Sequence, residues 1–274
     1  MKIPITVLAG ICLSTSFLTA EENRLPDIVA HRGASHQAPE NTVSAVRLAW
    51  EEGADATEVD VRLSSDGKIV VCHDDTTLRT GGVELVVKDT SLAEIQKLEA
   101  GAWKGIQWKG EPFPTLTEVF AAIPDGKRIL VEIKCGVEIM PALRPVIEKS
   151  GLEADQILFI SFNADVIAAC RKQFPKMKSF WLTGFEESEE GKGDWTPRID
   201  SILKTLKETN ASGLDCNAHD VVDAEFVEKL RSAGHEFHVW TVDDPAVAKR
   251  FAELGVDSIT TNRPAGLRAE LRGE

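Results

Sequence analysis

The chain has 274 residues, of which 43% are hydrophobic and 27% are charged, and it contains 20 glycines and 12 prolines. This apolar fraction excludes a disordered chain, and the glycine and proline counts exclude a collagen-like or low-complexity one. Lys and Arg total 31 against 44 acidic residues, giving a formal net charge of -13. That sign argues against broad binding to nucleic acid or anionic lipid, because both are polyanions. The length fits two small domains or one large α/β barrel.

The first twenty residues are typical of a secretory signal peptide. Lys2 precedes an apolar run over residues 3–18, and small or polar residues end the segment at Ala20. The apolar run is shorter than the roughly 20 residues that a membrane-spanning helix needs, so a membrane anchor is the less favoured alternative. We therefore predict cleavage near Ala20, an exported protein without stable membrane insertion, and a single domain over residues 21–274.

Four cysteines lie in the predicted mature chain. An even number in an oxidising compartment permits two disulfides. Each cysteine, however, lies within an apolar run and the spacings match no zinc motif, which favours small buried thiols. The residues are Cys72, Cys135, Cys170 and Cys216. Their spacing leaves the disulfide state open.

In chain order, short β-branched runs alternate with stretches of helical spacing. The predicted parallel strands are residues 27–31, 57–61, 128–134, 156–161, 179–183, 213–216, 236–242 and 257–261. Helical spacing is clearest over residues 43–52, 224–233 and 245–254. This alternation predicts an α/β fold with parallel strand pairing. Eight strands close a TIM (β/α)8 barrel, which is the fold we expect.

One further β run, residues 68–73, does not follow a helix. It follows Asp66 and Gly67, and Asp-Gly between two β runs is a strong hairpin signal. We therefore predict a hairpin after the second barrel strand, within a small insertion over about residues 62–114. The part after the hairpin is expected to lie above the barrel mouth.

The turn also predicts a strand register. If Asp66 and Gly67 form a two-residue turn, Asp60 lies opposite His73, and cross-strand partners share one face of a sheet. A three-residue loop would turn His73 away. We expect the two-residue turn.

Acidic side chains collect at the ends of the second and third barrel strands, where a TIM barrel has its active site. Glu58 and Asp60 are two residues apart and so point to one face, and Glu132 ends the next strand. Three converging carboxylates need a compensating charge. Their oxygens suit one divalent cation, Ca²⁺ or Mg²⁺, rather than zinc. Export favours Ca²⁺, which tolerates irregular oxygen ligation.

Two histidines and two fixed cations flank this acidic set. His31 and His73 are candidates for general acid and base, since histidine titrates near neutral pH. Arg32 and Lys134 are suited to phosphate oxygens. Taken singly, each of these residues is most often structural. Their joint occurrence at neighbouring strand ends predicts a site for a phosphate ester.

Ten short motifs together resemble the glycerophosphodiester phosphodiesterase family. They are His31-Arg32-Gly33, Pro39-Glu40-Asn41-Thr42, Gly53-Ala54-Asp55, Glu58-Val59-Asp60-Val61, His73-Asp74, Pro114-Thr115-Leu116, Glu132-Ile133-Lys134, Ser161-Phe162, Trp240-Thr241-Val242 and Gly255-Val256-Asp257. The resemblance runs from about Ile28 to Pro264, and its amino-terminal block is the more specific part. It implies a TIM-barrel hydrolase that splits small glycerophosphodiesters into glycerol 3-phosphate and an alcohol.

The resemblance also implies roles for individual residues. It places Glu58, Asp60 and Glu132 on the metal, His31 and His73 in proton transfer, and Arg32, Lys134 and Trp240 on the substrate. The nucleophile is either water or the neighbouring glycerol hydroxyl.

Four further positions, in or near these motifs, carry weaker expectations. Asp243 stands where Asn is common in the family and Asn262 where Asp is usual, and we expect neither to touch the metal or proton-transfer groups. Asn41 is expected to cap the helix that begins at Thr42 or Val43. Glu40 is a candidate for orienting a catalytic group.

Two alternatives of different kinds stay open. A phospholipase D acting on lysophospholipid or sphingomyelin shares the Glu-x-Asp and two-histidine arrangement. An exported, non-catalytic binding protein on the same barrel would also retain these residues. A general phosphomonoesterase is disfavoured because the sequence offers no second metal cluster. The released alcohol and the oligomeric state are not determined by the sequence.

Overall fold

The computed structural model describes residues 25–188 and 193–274. The predicted signal peptide, residues 1–20, lies outside the described residues. Within the described ranges, no helix is both long and apolar enough to cross a membrane.

Eight parallel strands form a closed barrel, which confirms the predicted fold. They are β1 (Asp27–Ala30), β2 (Ala56–Leu63), β4 (Arg128–Ile133), β5 (Ile157–Ser161), β6 (Ser179–Thr183), β9 (Gly213–Asn217), β10 (Glu236–Trp240) and β11 (Ser258–Thr261). Around the ring the order is β1, β11, β10, β9, β6, β5, β4 and β2, and β2 pairs again with β1. Strand β3 (Ile69–Val71) lies outside the ring, antiparallel to β2.

Helices separate the barrel strands along the chain. They are α1 (Val43–Glu51), α2 (Leu78–Gly81), α3 (Leu92–Ile95), α4 (Leu116–Phe120), α5 (Met140–Glu148), α6 (Ala164–Gln173), α7 (Ile199–Thr209), α8 (Ala224–Ser232), α9 (Pro245–Glu253) and α10 (Pro264–Arg272). Two short strands, β7 (Glu186–Glu187) and β8 (Trp195–Thr196), pair between β6 and α7. Local capping explains several boundaries. The Asp244 side chain, for example, accepts hydrogen bonds from the first backbone amides of α9.

The strands are apolar on both faces, as expected for a parallel sheet that helices cover on the outside. Inside the barrel, a cluster of buried side chains fills the lower part; it includes Leu130, Ile160, Phe180 and Leu182. Outside, two larger clusters pack the strands against the helices. A filled barrel interior leaves the carboxyl ends of the strands as the open end, and this end carries the site.

The predicted hairpin forms, but its predicted register is wrong. Strand β2 pairs with β3 with Val61 opposite Val71 and Leu63 opposite Ile69. The turn is a three-residue loop in which Gly67 has φ +71°, the left-handed conformation that such loops require. Asp60 therefore lies opposite Cys72, whose amide donates to the Asp60 carbonyl at 3.0 Å.

His73 nevertheless reaches the barrel mouth, because β3 ends at Val71 and the chain bends after it. The insertion that follows has a small core of its own, composed of Val70, Cys72, Val87, Ile95, Ala100 and Phe113. It also contacts the loop after β1, where Lys104 Nζ donates to the Ser35 carbonyl at 2.7 Å. The insertion thus flanks one side of the mouth.

The four cysteines of the described chain are free thiols. Cys72, Cys170 and Cys216 are buried, as the apolar runs predict, and Cys135 is half-buried. Burial raises the thiol pKa of Cys72 and Cys170 to about 12. Such thiols stay protonated and act as small apolar side chains.

Candidate active site

A cavity of about 270 Å³ opens at the carboxyl ends of the barrel strands. Its lining is His31, Arg32, Glu58, His73, Glu132, Lys134, Ile160, Phe162, Leu182, Asp215, Trp240, Thr241 and Thr260. Seven of the eight predicted site residues are thus brought together. The eighth, Asp60, lies directly behind the lining, against Arg32 and Lys134.

Three buried carboxylates form the acidic side of this cavity. Asp60 on β2 is the register partner of Glu132 on β4, and Glu58 precedes Asp60 by two residues on the same face. One oxygen from each lies within 4.8 Å of the others. Burial and then repulsion from Asp60 raise the pKa of Glu132 to about 7, and the same causes raise the pKa of Glu58. When all three carboxylates are ionised, the neighbouring Arg32 and Lys134 offset their negative charge only in part.

The oxygen atoms of this cluster fit a hard divalent cation. In the described structure, Glu58 Oε1 and Asp60 Oδ1 are buried and have no hydrogen-bond partner. Buried carboxylate oxygens are normally paired or bound to a metal. Ca²⁺ and Mg²⁺ prefer oxygen ligands such as these carboxylates, whereas softer metals prefer nitrogen or sulfur ligands.

The loop after β1 holds Arg32 against this cluster. Arg32 adopts a left-handed backbone, φ +55°, and its amide donates to Glu58 Oε2 at 2.8 Å. Its Nε lies 3.3 Å from Asp60 Oδ2, and its Nη1 donates to Glu40 Oε1 at 2.8 Å. Gly33 follows, also at positive φ, and a Cβ at this position would lie only 2.5 Å from the Ala45 carbonyl carbon. The tight turn thus requires glycine at 33.

Asn41 does not cap α1, contrary to the prediction. The cap is Thr42, whose side chain accepts from the Ala45 amide. Asn41 instead takes a left-handed conformation and makes two bonds to Asp60. Its Nδ2 donates to Asp60 Oδ2 at 2.8 Å, and its Oδ1 accepts from the Asp60 amide at 3.0 Å. The residue therefore fixes the orientation of a candidate metal ligand.

Lys134 sits between the carboxylates and a histidine. Its Nζ is 2.7 Å from Glu132 Oε1, 3.7 Å from Asp60 Oδ1 and 3.3 Å from His73 Nε2. With Arg32, it places two fixed positive charges at the cavity wall. Such charges are suited to the oxygens of a phosphodiester.

A chain of charged side chains connects His73 to Arg32 through the insertion. Asp74 Oδ1 lies 2.6 Å from His73 Nδ1, and Arg79 contacts both Asp74 and Glu40 at 2.7 to 2.8 Å. Hydrogen bonds from Arg79 lower the pKa of Asp74 to about 2. For Glu40, the arginines outweigh its burial and lower the pKa to about 2. Glu40 thus orients Arg32. Arg79, which the sequence analysis did not identify, connects Glu40 with Asp74.

Asn262 and Asp243, the two departures from the common family pattern, contact each other, and Asn262 also contacts His31. His31 Nδ1 lies 2.8 Å from Asn262 Oδ1, and Asn262 Nδ2 donates to Asp243 Oδ2 at 2.6 Å. The expectation that neither touches a proton-transfer group is therefore wrong for Asn262. Because Asn262 Nδ2 is committed to Asp243, Asn262 Oδ1 must accept from His31, which leaves the Nε2 lone pair free. Burial, and then Arg32, lowers the pKa of His31.

Aromatic side chains form a further part of the cavity wall. Trp240 and Phe162 meet edge to face with ring centroids 5.5 Å apart. Trp240 Nε1 donates to the Asp215 carbonyl at 3.3 Å, which fixes the indole at the cavity edge. This wall offers an apolar contact surface for a substrate's carbon skeleton.

The family of this chain is identified by comparison with known proteins. Residues 31–266 match the glycerophosphoryl diester phosphodiesterase family. The chain belongs to this family. It is therefore an enzyme, a phosphodiesterase, and the resemblance inferred from its motifs is confirmed.

Individual relatives support the same assignment. The glycerophosphodiester phosphodiesterase of Caldanaerobacter subterraneus subsp. tengcongensis is 34% identical, covering 88% of this chain and 95% of the relative. The solved structure of an Oleispira antarctica phosphodiesterase in complex with sn-glycerol-3-phosphate aligns with a TM-score of 0.80 and 28% identity, over 90% of this chain and 97% of that one. A glycerophosphodiester phosphodiesterase from Agrobacterium tumefaciens aligns with a TM-score of 0.75 and 27% identity, covering 89% and 100%.

Proposed function

We propose that this enzyme hydrolyses glycerophosphodiesters to glycerol 3-phosphate and an alcohol, with one divalent cation and two histidines. The observation that carries the proposal is the joint position of the acidic cluster, both histidines, Arg32 and Lys134 around one cavity. The Oleispira relative, which shares this fold, binds the proposed product.

Glu58, Asp60 and Glu132 would hold the cation. When bound, a divalent cation neutralises these carboxylates and polarises a phosphoryl oxygen, which makes phosphorus more electrophilic. Ca²⁺ is favoured over Mg²⁺, because the proposed export takes the protein to where Ca²⁺ is plentiful, and Ca²⁺ tolerates irregular oxygen ligation. Asn41 and the Arg32 amide keep two of these side chains in place.

Proton transfer is assigned to His31 and His73. His31 acts as the base, since its lowered pKa and its Nδ1–H bond to Asn262 leave an unprotonated Nε2 at neutral pH. It takes a proton from the nucleophile, either water or the neighbouring glycerol hydroxyl, while the new phosphorus–oxygen bond forms. If the glycerol hydroxyl attacks, a cyclic phosphate forms first and water then opens it to glycerol 3-phosphate. His73, oriented by Asp74, gives a proton to the leaving oxygen as the old bond breaks.

Arg32 and Lys134 bind the non-bridging phosphate oxygens. Negative charge builds on these oxygens in the transition state, and fixed cations already in position stabilise it without reorganisation. Glu40 and the acidic cluster hold both cations at the cavity wall.

The direct test is a panel of substrates supplied to the purified protein. Glycerophosphocholine, glycerophosphoethanolamine, lysophosphatidylcholine and p-nitrophenyl phosphate are compared by product analysis. We expect choline and ethanolamine release with glycerol 3-phosphate, and little turnover of the other two. Preferential hydrolysis of lysophosphatidylcholine would instead support the phospholipase D alternative, and no turnover of any diester would support a binding protein.

We also propose that the enzyme is exported after cleavage near Ala20. The support is the sequence of residues 1–20, with one basic residue, a short apolar run and a small residue at its end. Mass spectrometry of the protein from its native host should show an amino terminus near Glu21. An intact or lipid-modified terminus would overturn the proposal.

A further inference from the structure

Arg62 is a half-buried arginine of β2 that the mechanism above does not use. It follows Asp60 by two residues, so it continues the strand face that carries Glu58 and Asp60. Its side chain is 15% exposed, and it is not part of the cavity lining. Any effect of Arg62 on the reaction therefore passes through a residue that it contacts.

The guanidinium of Arg62 contacts the bend that follows β3. Its Nε donates to the His73 carbonyl at 2.9 Å, and its Nη1 pairs with Asp75 Oδ1. This bend is what brings His73 to the barrel mouth, since the hairpin register places Cys72 rather than His73 opposite Asp60. Arg62 thus bonds to the segment that compensates for the register.

The bond from Arg62 is the one that holds the His73 backbone. Cys72 before it is fixed on β2 by a backbone bond of 3.0 Å, and the Asp75 carbonyl after it accepts from the Val87 amide at 2.9 Å. In the part of the chain that the structure describes, no other hydrogen bond reaches the amide or carbonyl of His73. The conformation at His73 therefore depends on Arg62.

The two contacts of Arg62 differ in expected strength. The Asp75 side chain is 80% exposed, and ion pairs at the surface contribute little because water and salt screen them. The bond to the His73 carbonyl is partly buried and has a charged donor, which is the stronger class of hydrogen bond. The contact with His73 is thus the one that should matter for activity.

We propose that Arg62 is a positioning residue that holds the bend after β3 so that the His73 imidazole is aimed at the leaving oxygen. This rests on the proposed function, which assigns His73 as the acid. Asp74 and Lys134 lie 2.6 and 3.3 Å from the two ring nitrogens and orient the ring itself. Arg62 instead fixes the backbone from which the ring extends. A proton donor displaced by about 1 Å can lose roughly 10²-fold in rate.

The experiment removes the donor at one atomic position. Arg62→Gln keeps an N–H donor at the same number of bonds from Cα as the arginine Nε, whereas Arg62→Met places a methyl group there. Both lose the charge, so their difference isolates the hydrogen bond. Asp75→Asn removes the surface ion pair alone. Arg128→Met is the matched control, because it loses an arginine ion pair, with Asp27 at 2.6 Å, at the amino end of the barrel.

The readout is kcat and KM on glycerophosphocholine and on the p-nitrophenyl ester of glycerol 3-phosphate, with His73→Ala as the reference. We expect Arg62→Met to lower kcat on glycerophosphocholine about 10–100-fold, with a smaller change in KM. Its kcat on the p-nitrophenyl ester should stay within about threefold of the wild type, because that leaving group needs little protonation. Arg62→Gln should recover most of the loss. Asp75→Asn and Arg128→Met should stay within about twofold on both substrates.

Other outcomes overturn the inference. Equal losses of Arg62→Met on both substrates, with a lower melting temperature, would show a purely structural role. Equal losses in Arg62→Met and Arg62→Gln would show that the charge matters and the hydrogen bond does not. Should Arg62→Met fail to fold, a loss above about tenfold in Arg62→Gln on glycerophosphocholine would contradict the inference, and near-wild-type kcat despite the lost charge would support it.

The reference variant separates this inference from the proposed function. If His73→Ala loses activity equally on both substrates, the assignment of His73 as the acid fails, and the role of Arg62 fails with it. If His73→Ala is rescued by the p-nitrophenyl ester and Arg62→Met is not, only the role of Arg62 fails. If the wild type hydrolyses neither substrate, the proposed function itself fails.

Discussion

His31 and His73 both line the cavity but have different neighbours. From this difference we assign His31 as the base and His73 as the acid. His31 contacts a neutral amide, Asn262, whereas His73 contacts the Asp74 carboxylate. Replacing either histidine with Ala should lower kcat by roughly 10²–10⁴-fold, the usual contribution of a positioned acid or base. A p-nitrophenyl diester has a leaving group that needs little protonation, so it should rescue His73→Ala and not His31→Ala.

Steady-state kinetics on glycerophosphocholine and a p-nitrophenyl diester measures this contrast. His235→Ala is the matched control, because His235 precedes β10 at the opposite end of the barrel and should not affect kcat. Equal losses in both active-site variants on both substrates would mean that the rings only position other groups.

The contact between Asn262 and Asp243 leads to a second prediction about single residues. Exchanging the two residues, Asn262→Asp with Asp243→Asn, gives His31 a carboxylate partner and should raise its pKa. A base works unprotonated, so a higher pKa moves the acid limb of the kcat/KM profile to higher pH and lowers activity near pH 6. The pH dependence of kcat/KM measures this shift. An acid limb at the wild-type position would show that His31 is not the titrating base.

The sequence predicted the site residues that stand at strand ends, but it did not predict the residues that orient them. The alternation of side chains along the barrel strands determines that Glu58 and Glu132 point toward the cavity. The bond from Asn41 to Asp60 and that between His31 and Asn262 join residues 19 and 231 positions apart. Such contacts depend on how loops meet in the folded barrel, and local capping rules suggested another role for Asn41.

Among the elements, the insertion after β3 contributes directly to the site through α2. Arg79 on that helix bonds to Asp74 and Glu40, which in turn hold His73 and Arg32. Arg79→Met should lower kcat about 10–100-fold with a smaller change in KM, since it misorients groups that act in the transition state. Arg79→Lys should restore part of the loss. Steady-state kinetics of both variants tests this. A change confined to melting temperature would leave Arg79 a purely structural role.

The ion pairs of Arg79 with Glu40 and Asp74 make the stability of the folded protein at acidic pH depend on Arg79. Glu40 and Asp74 have folded-state pKa values of about 2, below the unfolded values of about 4. Their contribution to stability is therefore present above about pH 4 and is lost as pH falls toward 2. Chemical unfolding followed over this range should show a shallower loss of stability in Arg79→Met than in the wild type. Identical slopes would contradict the assigned charge network.

The hairpin shows why element boundaries were easier to predict than register. Asp66 and Gly67 correctly indicated a turn, but both a two-residue and a three-residue loop accommodate this pair. The longer loop is selected by contacts of the Asp66 carboxylate, which accepts from Ser64 Oγ at 2.7 Å and from the Leu92 amide at 2.9 Å. The second of these bonds comes from the insertion, so it cannot be inferred from the turn itself.

At the scale of the whole molecule, the barrel was predictable because its strands are buried on both faces. Most appear in the sequence as short β-branched or aromatic runs, although β9 contains no β-branched residue. The predicted strand boundaries differ from the observed ones by at most two residues. The net charge of -13 also argued against polyanionic partners, while the cavity itself concentrates Arg32 and Lys134 for one phosphate. A negative net charge thus does not prevent the chain from placing two cations beside one small cavity.

The central claim is that a single divalent cation at Glu58, Asp60 and Glu132 is required for hydrolysis. The most direct measurement is the rate of glycerol 3-phosphate release from glycerophosphocholine by protein stripped with chelator and dialysed, against equivalents of Ca²⁺ or Mg²⁺ added back. We predict no release without metal, full recovery near one equivalent of the preferred cation, and a higher metal requirement in Glu132→Gln, which loses an anionic ligand. Undiminished release from the stripped protein would contradict this claim.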